Sequence, residues 1–224
     1  MRLPGSPCDP RGWKLNGTPT PEPIEFWFDF SSNYSYLSVM RIEAAAARAG
    51  VSVRWRPFLL GPIFRALGWS TSPFVLQQSK GRYVWKDMAR QCAKHGLPWT
   101  QPSTFPRSAV LPLRVALVGA EREWMGAYCR RMMSLNFADD RDIDAREVVA
   151  QVLGELGLPH DQVIEEALSD ANKPRLRLQT ETAAQRGIFG APTFFVGGEM
   201  FWGDDRLDDA LAFCKSLSPA GDRG

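Results

Sequence analysis

The chain has 224 residues, of which 44% are hydrophobic and 23% are charged, and its formal net charge is +2. These values are typical of a globular protein with a sizeable core. Because the net charge is small and the basic residues are scattered, nucleic-acid binding is not expected. No apolar run approaches the roughly 20 residues that span a membrane.

Residues 1–22 are rich in proline, glycine and polar side chains, which predicts a flexible tail. This segment lacks the apolar centre of a signal peptide, so we expect a cytoplasmic protein. The four cysteines, Cys8, Cys92, Cys129 and Cys214, form no C-x-x-C pair. We therefore expect reduced, mostly buried thiols and no metal cluster.

The first elements form a β-α-β unit. Residues 24–30, "IEFWFDF", are short and aromatic, as in a strand. Residues 34–49 carry apolar side chains at helical spacing and end at Gly50. Residues 51–56, "VSVRWR", alternate between apolar and polar side chains and stop at Pro57, which predicts a second strand.

The middle of the chain has helical periodicity and no convincing strand. The predicted helices cover residues 81–95, 112–119, 124–135, 145–156 and 162–168. The fourth is the clearest, because Asp144 and Glu147 have the spacing of a capping box ahead of one apolar stripe.

The last part predicts a helix over residues 173–186, two strands at 193–196 and 199–202, and a helix over 206–215. Gly197-Gly198 between the strands is typical of a two-residue hairpin. This order predicts an α/β fold, a thioredoxin-like domain with a large all-helical insertion. Residues 23–60 and 172–217 would form the thioredoxin-like domain, residues 61–171 the insertion, and residues 218–224 a C-terminal tail.

In this fold the first turn of the first helix is the expected active site, because its free N–H groups favour an anion. Here the turn reads Ser32-Asn33-Tyr34-Ser35, with serines where redox enzymes carry cysteines, so a disulfide oxidoreductase using this turn is excluded. Ser32 either caps the helix or donates a hydrogen bond to the sulfur of a bound thiol. Ser32 as a nucleophile would need a nearby base, and the two histidines are poorly placed.

Two further motifs are predicted near this turn. Pro192, just before a strand, is either an ordinary strand-start proline or a cis proline that exposes the backbone of Ala191 to an extended peptide; the element order favours cis. Asp204 and Asp205, before the last helix, either cap that helix or hold the ammonium group of a ligand.

With these motifs in place, the chain resembles the family of 2-hydroxychromene-2-carboxylate isomerases and kappa-class glutathione transferases, a DsbA-like branch of the thioredoxin superfamily. The resemblance covers about residues 24–215. It is carried by "FDFSSNYSYL" at residues 28–37, "KGRY" at 80–83, "GIFGAPTFFV" at 187–196 and "FWGDDRL" at 201–207.

The resemblance implies that glutathione is the cofactor and that Ser32 is the catalytic residue that stabilises its thiolate. The implied cofactor site comprises the first-turn residues, the segment before the third strand, the acidic pair and a lysine: Ser32, Asn33, Tyr34, Ala191, Pro192, Asp204, Asp205 and Lys80. Lys80 would reach the glycine carboxylate. Two positions depart from the family. Relatives often have a proline where this chain has Asn33, and they often have an asparagine where this chain has Trp69-Ser70.

The resemblance implies an isomerase whose bound thiolate adds reversibly to a conjugated aromatic substrate. A kappa-like transferase that conjugates another small electrophile, and a cysteine-less module that binds extended peptides, stay open. Aromatic residues of the insertion either line a pocket for a flat substrate or pack its core: Phe64, Trp69, Phe74, Tyr83 and Trp85. A homodimer is expected from the family.

Overall fold

The computed structural model describes residues 22–217. Cys8 and the predicted tails, apart from Glu22, lie outside this range. The strands are β1 (Ile24–Phe28), β2 (Val53–Pro57), β3 (Thr193–Val196) and β4 (Glu199–Trp202). The helices are α1 (Asn33–Ala49), α2 (Leu60–Ala66), α3 (Pro73–Leu76), α4 (Gln78–His95), α5 (Val110–Gly119), α6 (Met125–Phe137), α7 (Arg146–Glu155), α8 (His160–Leu168), α9 (Lys173–Gln185) and α10 (Leu207–Leu217), with a 3₁₀ turn at Asp204–Arg206.

The four strands form one mixed sheet in the order β2-β1-β3-β4. β1 is parallel to β2, as a strand-helix-strand crossover requires, and antiparallel to β3. β3 and β4 form the hairpin predicted at Gly197-Gly198, with Val196 opposite Glu199. The predicted fold class, a thioredoxin-like sheet with an all-helical insertion, is confirmed.

Helix α1 lies against the sheet and carries the first turn of the expected site. Ser32 is its N-cap, with extended backbone (φ −88°, ψ 117°), and the Ser32 hydroxyl accepts a hydrogen bond from the Ser35 N–H. The helix ends at Gly50, whose left-handed φ of 70° closes the last turn. Ser32 therefore stands at the N-terminal end of α1, directly after the loop that follows β1.

One apolar core runs from the sheet into the helical insertion. Phe26 of β1 stacks on Phe194 of β3, with 5.3 Å between ring centroids, and Phe30 meets Tyr128 of α6 at 6.0 Å. Cysteines 92, 129 and 214 are buried in this core, as predicted. No helix within residues 22–217 is long and apolar enough to cross a membrane.

The predicted capping box before α7 is wrong. Helix α7 begins after Ala145, which offers no capping side chain. The Asp144 carboxylate instead accepts hydrogen bonds from the Leu111 N–H (2.8 Å) and the Ser108 hydroxyl (2.6 Å), at the start of α5. Ala109, the N-cap of α5, has no side-chain acceptor, so the free N–H group takes its partner from a loop distant in sequence.

Helices α2 and α3 were not predicted, because both are too short to show a helical period. Ser72 caps α3 by accepting from the Phe74 N–H, and Pro73 occupies its first turn. Asp29, after β1, accepts the Leu60 N–H at the start of α2.

Candidate active site

A cleft of about 1260 Å³ lies between the sheet edge and the helical insertion. Its walls come from the β1–α1 loop, α2, α4, the segment before β3 and the turn after β4. All eight residues predicted for the cofactor site line this one cleft: Ser32, Asn33, Tyr34, Lys80, Ala191, Pro192, Asp204 and Asp205.

The Ser32 hydroxyl joins the two sides of the cleft. It donates a hydrogen bond to the Ala191 carbonyl oxygen at 3.0 Å while it accepts the Ser35 N–H at 3.2 Å. Ser32 is thus a helix cap, and its single proton is directed at the backbone segment predicted to pair with an extended ligand. The N–H groups of Asn33 and Tyr34 precede the first intrahelical donor, the Tyr36 N–H, which bonds to the Ser32 carbonyl, and they stand at the positive end of α1.

The peptide bond between Ala191 and Pro192 is cis, which confirms the prediction made from the element order. The Pro192 carbonyl accepts the Gly203 N–H at 3.0 Å, so the segment before β3 is tied to the turn after β4. The Thr193 hydroxyl donates to the Gly190 carbonyl at 2.9 Å. These bonds hold Ala191 opposite the first turn of α1.

Asp204 is committed to protein partners. Its carboxylate accepts from Arg41 at 2.9 Å and from the Ser38 hydroxyl at 2.8 Å, and only 8% of the residue is exposed. Burial raises the pKa of Asp204, and the Arg41 charge opposes that shift. Asp205, which is exposed, pairs with Arg206 at 2.8 Å. The two acids therefore lie in different environments, since Asp204 is buried among protein partners and Asp205 is exposed beside Arg206.

The buried carboxyl group of Asp29 was missed by the sequence analysis. It is 2% exposed and lines the cleft beneath Ser32. One carboxylate oxygen accepts the Ser31 N–H and the other the Leu60 N–H, both at 2.8 Å. Burial raises the pKa of Asp29. An acid between two phenylalanines at the end of a strand was the signal available in the sequence.

Tyr34 of α1 and Lys80 of the insertion line the cleft in different environments. The Tyr34 hydroxyl donates to the Asp87 carboxylate at 2.8 Å, and burial together with Asp87 raises the pKa of Tyr34. Lys80 is exposed and its Nζ lies 5.7 Å from the centroid of the Phe74 ring. Lys80 thus supplies an exposed positive charge to the cleft lining.

Aromatic pairs line the rest of the cleft. Phe64 and Trp69 lie 5.6 Å apart by ring centroids, and Phe189 and Trp202 lie 4.8 Å apart. Of the five predicted aromatics, all but one line the cleft; Trp85 instead packs against Phe105.

Phe189 and Trp202 were missed, because nothing in the sequence shows that they meet. Trp202 lies so close to Gly190 that a Cβ at that glycine would sit 2.4 Å from the indole Nε1. Residues 22–217 contain no cluster of histidine, cysteine or acidic side chains arranged to hold a metal ion.

Comparison with known proteins agrees with this architecture. A family profile described as a DSBA-like thioredoxin domain matches residues 23–213. The 2-hydroxychromene-2-carboxylate isomerase of Sphingobium xenophagum is 30% identical over 187 residues, which cover 83% of this chain and 94% of that protein. Glutathione S-transferase kappa 1 of Caenorhabditis elegans is 22% identical over 214 residues, covering 89% of this chain and 94% of the relative.

A solved structure of a 2-hydroxychromene-2-carboxylate isomerase superposes with a TM-score of 0.78 at 26% identity, covering 87% of this chain and 95% of the other. The chain belongs to the DSBA-like thioredoxin domain family, in the branch of the 2-hydroxychromene-2-carboxylate isomerases and kappa-class glutathione transferases.

Proposed function

We propose that the protein is a glutathione-dependent isomerase of the 2-hydroxychromene-2-carboxylate type, in which Ser32 stabilises the thiolate. The observation that carries this proposal is the Ser32 hydroxyl at the positive end of α1, 3.0 Å from the carbonyl before a cis proline. No cysteine lines the cleft within residues 22–217. In this proposal the thiol is carried by the ligand.

The charges and backbone groups of the cleft fit an extended tripeptide with one ammonium and two carboxylate groups. Ala191 offers its backbone beside Ser32, Lys80 offers a cation for a carboxylate, and Asp205 an exposed carboxylate for the ammonium. Asp204 supports this end of the site indirectly, because it anchors Arg41 and Ser38. Peptides commonly bind by such backbone pairing, with charged groups at their ends.

The Ser32 hydroxyl can donate to a sulfur only after its hydrogen bond to the Ala191 carbonyl is broken. A backbone N–H from a bound peptide would satisfy that carbonyl, so the hydroxyl can turn to the sulfur without leaving an acceptor unpaired. Thiol activation would therefore be coupled to correct seating of the peptide backbone. The free N–H groups of Asn33 and Tyr34 add to the stabilisation of negative charge.

Glutathione, when bound, supplies a thiolate that adds reversibly to a conjugated double bond. Lowering a thiol pKa from ~8.5 to ~6.5 corresponds to about 2.7 kcal/mol, which one charge-assisted hydrogen bond and a helix end can provide. The aromatic pairs around Trp69 and Trp202 would hold a flat substrate beside this group. Since addition and expulsion leave no net redox change, no protein cysteine is required.

The transferase alternative rests on the kappa-class relative. It needs the same thiolate and differs only in keeping the conjugate. Product analysis separates the two: an isomerase returns free glutathione after every turnover, whereas a transferase consumes it in proportion to product.

The test is an ultraviolet titration of the thiolate absorbance of glutathione bound to the pure protein, with Ser32→Ala and Ser35→Ala. We expect a bound-thiol pKa well below the free value of ~8.5, lost in Ser32→Ala and kept in Ser35→Ala. Failure of glutathione to bind, or an unshifted thiol, would contradict the proposal and favour a module that binds extended peptides through Ala191.

A further inference from the structure

The lysines and arginines that line the cleft differ in what they bind. There are six of them: Arg41, Arg65, Lys80, Lys94, Arg107 and Arg206. Arg41, Arg107 and Arg206 are held in ion pairs with aspartates. Lys80 already has a place in the proposed function, and Lys94 lies in the last turn of α4, where a cation stabilises the helix end. Arg65 is the cation that these roles leave over.

Arg65 is an exposed residue in the last turn of α2. It forms no hydrogen bond or ion pair with any residue in the range 22–217. Its Nη1 lies 3.6 Å from the position that a Cβ on Gly61 would occupy. Because Gly61 is the second residue of α2, the guanidinium reaches back along the helix to the first turn. Arg65 therefore does not serve the last carbonyls of α2, which is the usual role of a basic residue at a helix end.

The first turn of α2 lies at the corner of the cleft that holds Ser32. The N–H of Leu60 donates to one oxygen of the Asp29 carboxylate, and the Ser31 N–H donates to the other, both at 2.8 Å. Gly61 follows Leu60 and lines the cleft. The guanidinium over Gly61 is therefore directed toward the end of the cleft at which Ser32 stands.

An aromatic surface adjoins this guanidinium. Phe64 precedes Arg65 in α2, and its ring lies 5.6 Å from the Trp69 ring by centroids. The Trp69 N–H donates to the Phe64 carbonyl at 2.9 Å, which holds the aromatic pair together at the end of α2. A flat apolar surface beside an unpaired guanidinium matches a ligand with an aromatic ring and an anionic group. A carboxylate fits best, because the planar fork of arginine makes two parallel N–H···O bonds to it.

We propose that Arg65 binds the carboxylate of the substrate and so restricts the protein to aromatic electrophiles that carry one. This inference rests on the proposed function. When the chromene ring opens to a conjugated 2-oxo acid, two carbon atoms separate the carboxylate from the carbon that takes the sulfur. A carboxylate held by Arg65, with the ring on Phe64 and Trp69, places the double bond beside the thiolate at Ser32. A transferase for uncharged electrophiles has no use for this group.

The test compares two ligands in three variants of the full chain. Benzylidenepyruvate carries the carboxylate, whereas benzylideneacetone has a methyl group in its place. Arg65→Ala removes the guanidinium, and Arg65→Lys keeps the charge without the planar fork. Arg90→Ala is the matched control, because Arg90 is an exposed arginine of α4 that does not line the cleft. All three variants change an exposed side chain, so the fold should be retained.

Binding is measured in the presence of S-methylglutathione, whose sulfur cannot add to either ligand. We expect Arg65→Ala to weaken the binding of benzylidenepyruvate by about 10- to 100-fold, and Arg65→Lys to restore part of that loss. The binding of benzylideneacetone should be the same in wild type and in every variant. Arg90→Ala should match wild type for both ligands. With a chromene carboxylate as substrate, the loss in Arg65→Ala should show as a raised KM.

Unchanged binding of benzylidenepyruvate in Arg65→Ala would overturn the inference, and so would equal weakening of both ligands, because the arginine would then only shape the pocket. A loss of glutathione affinity in Arg65→Ala, with benzylidenepyruvate binding kept, would assign the arginine to a carboxylate of glutathione instead. Failure of the proposed function is distinguishable, since wild-type protein would then leave glutathione un-ionised whatever the two ligands show. If benzylidenepyruvate does not bind wild-type protein, the inference fails in either case.

Discussion

The hydroxyl of Ser32 donates to the carbonyl oxygen of Ala191 across 3.0 Å, joining residues that are 159 positions apart in the chain. The same hydroxyl accepts the Ser35 N–H and so caps α1. The Ser32 hydroxyl can therefore cap the helix and bind a ligand, because capping uses an oxygen lone pair as acceptor. Its hydrogen stays available to donate to a ligand in place of the Ala191 carbonyl.

Ser32→Ala should lower the free energy of unfolding by about 1 kcal/mol through loss of the N-cap. Ser35→Ala removes a buried hydroxyl that has no partner in the described residues, so it should be neutral or slightly stabilising. Urea unfolding of the two variants measures the difference. A free energy of unfolding in Ser32→Ala equal to that of wild type would show that the Ser32 cap contributes nothing to stability.

Gly190→Ala should displace Trp202, because a Cβ there would lie 2.4 Å from the indole Nε1. We expect altered tryptophan emission and a raised KM for a flat aromatic substrate, with Trp202→Phe identifying the share of Trp202 in the emission. Gly154→Ala is the control. No atom lies within 4 Å of its added Cβ, so alanine in α7 should stabilise by about 0.5–1 kcal/mol. An unchanged emission in Gly190→Ala would mean that Trp202 does not pack on this loop in solution.

Acid should weaken the Arg107–Asp140 ion pair. Arg107 and the Ser103 backbone lower the pKa of Asp140 from its ordinary value of 3.8 to about 2. Because the folded-state pKa is depressed, the contribution to stability is present above pH 3.8 and disappears as pH falls toward about 2.

Asp140→Asn should therefore be less stable than wild type at pH 7, and the gap should close at low pH. Urea unfolding from pH 7 down to low pH measures this difference in stability. Asp170→Asn, at an exposed residue, is the control. A gap independent of pH would contradict the assignment.

Asp144→Ala should cost about 1 kcal/mol, because the α5 N-terminus loses its acceptor for the Leu111 N–H. Glu147→Ala should change stability by about 0.5 kcal/mol or less, since Glu147 is exposed. Thermal unfolding of the two variants shows whether Asp144 caps α5 or forms a capping box with Glu147 at the start of α7. Comparable losses of stability in Asp144→Ala and Glu147→Ala would support the capping box instead.

The sequence predicted what depends on local patterns. The bounds of β3 and β4 agree with the prediction because the glycine pair between the two strands marks a two-residue hairpin turn. Short helices such as α2 were not predicted, because its seven residues cover only about two helical turns, too few to show a helical periodicity. The Arg41–Asp204 pair joins positions 163 apart, and Asp29 takes its partner from α2, so both required the folded chain. The buried Nδ2 of Asn33 has no hydrogen-bond partner among residues 22–217, which also became visible only in the folded chain.

The β3–β4 hairpin has Ala191 just before its first strand and Asp205 just after its second, and the Gly203–Pro192 hydrogen bond closes its open end. Both contacts proposed for the ligand therefore belong to this hairpin and not to the helical insertion. Under the proposed function, the hairpin sets the distance between the contact to the peptide backbone of the ligand and the contact to its amino end. We expect a ligand one methylene shorter to meet only one of these two contacts.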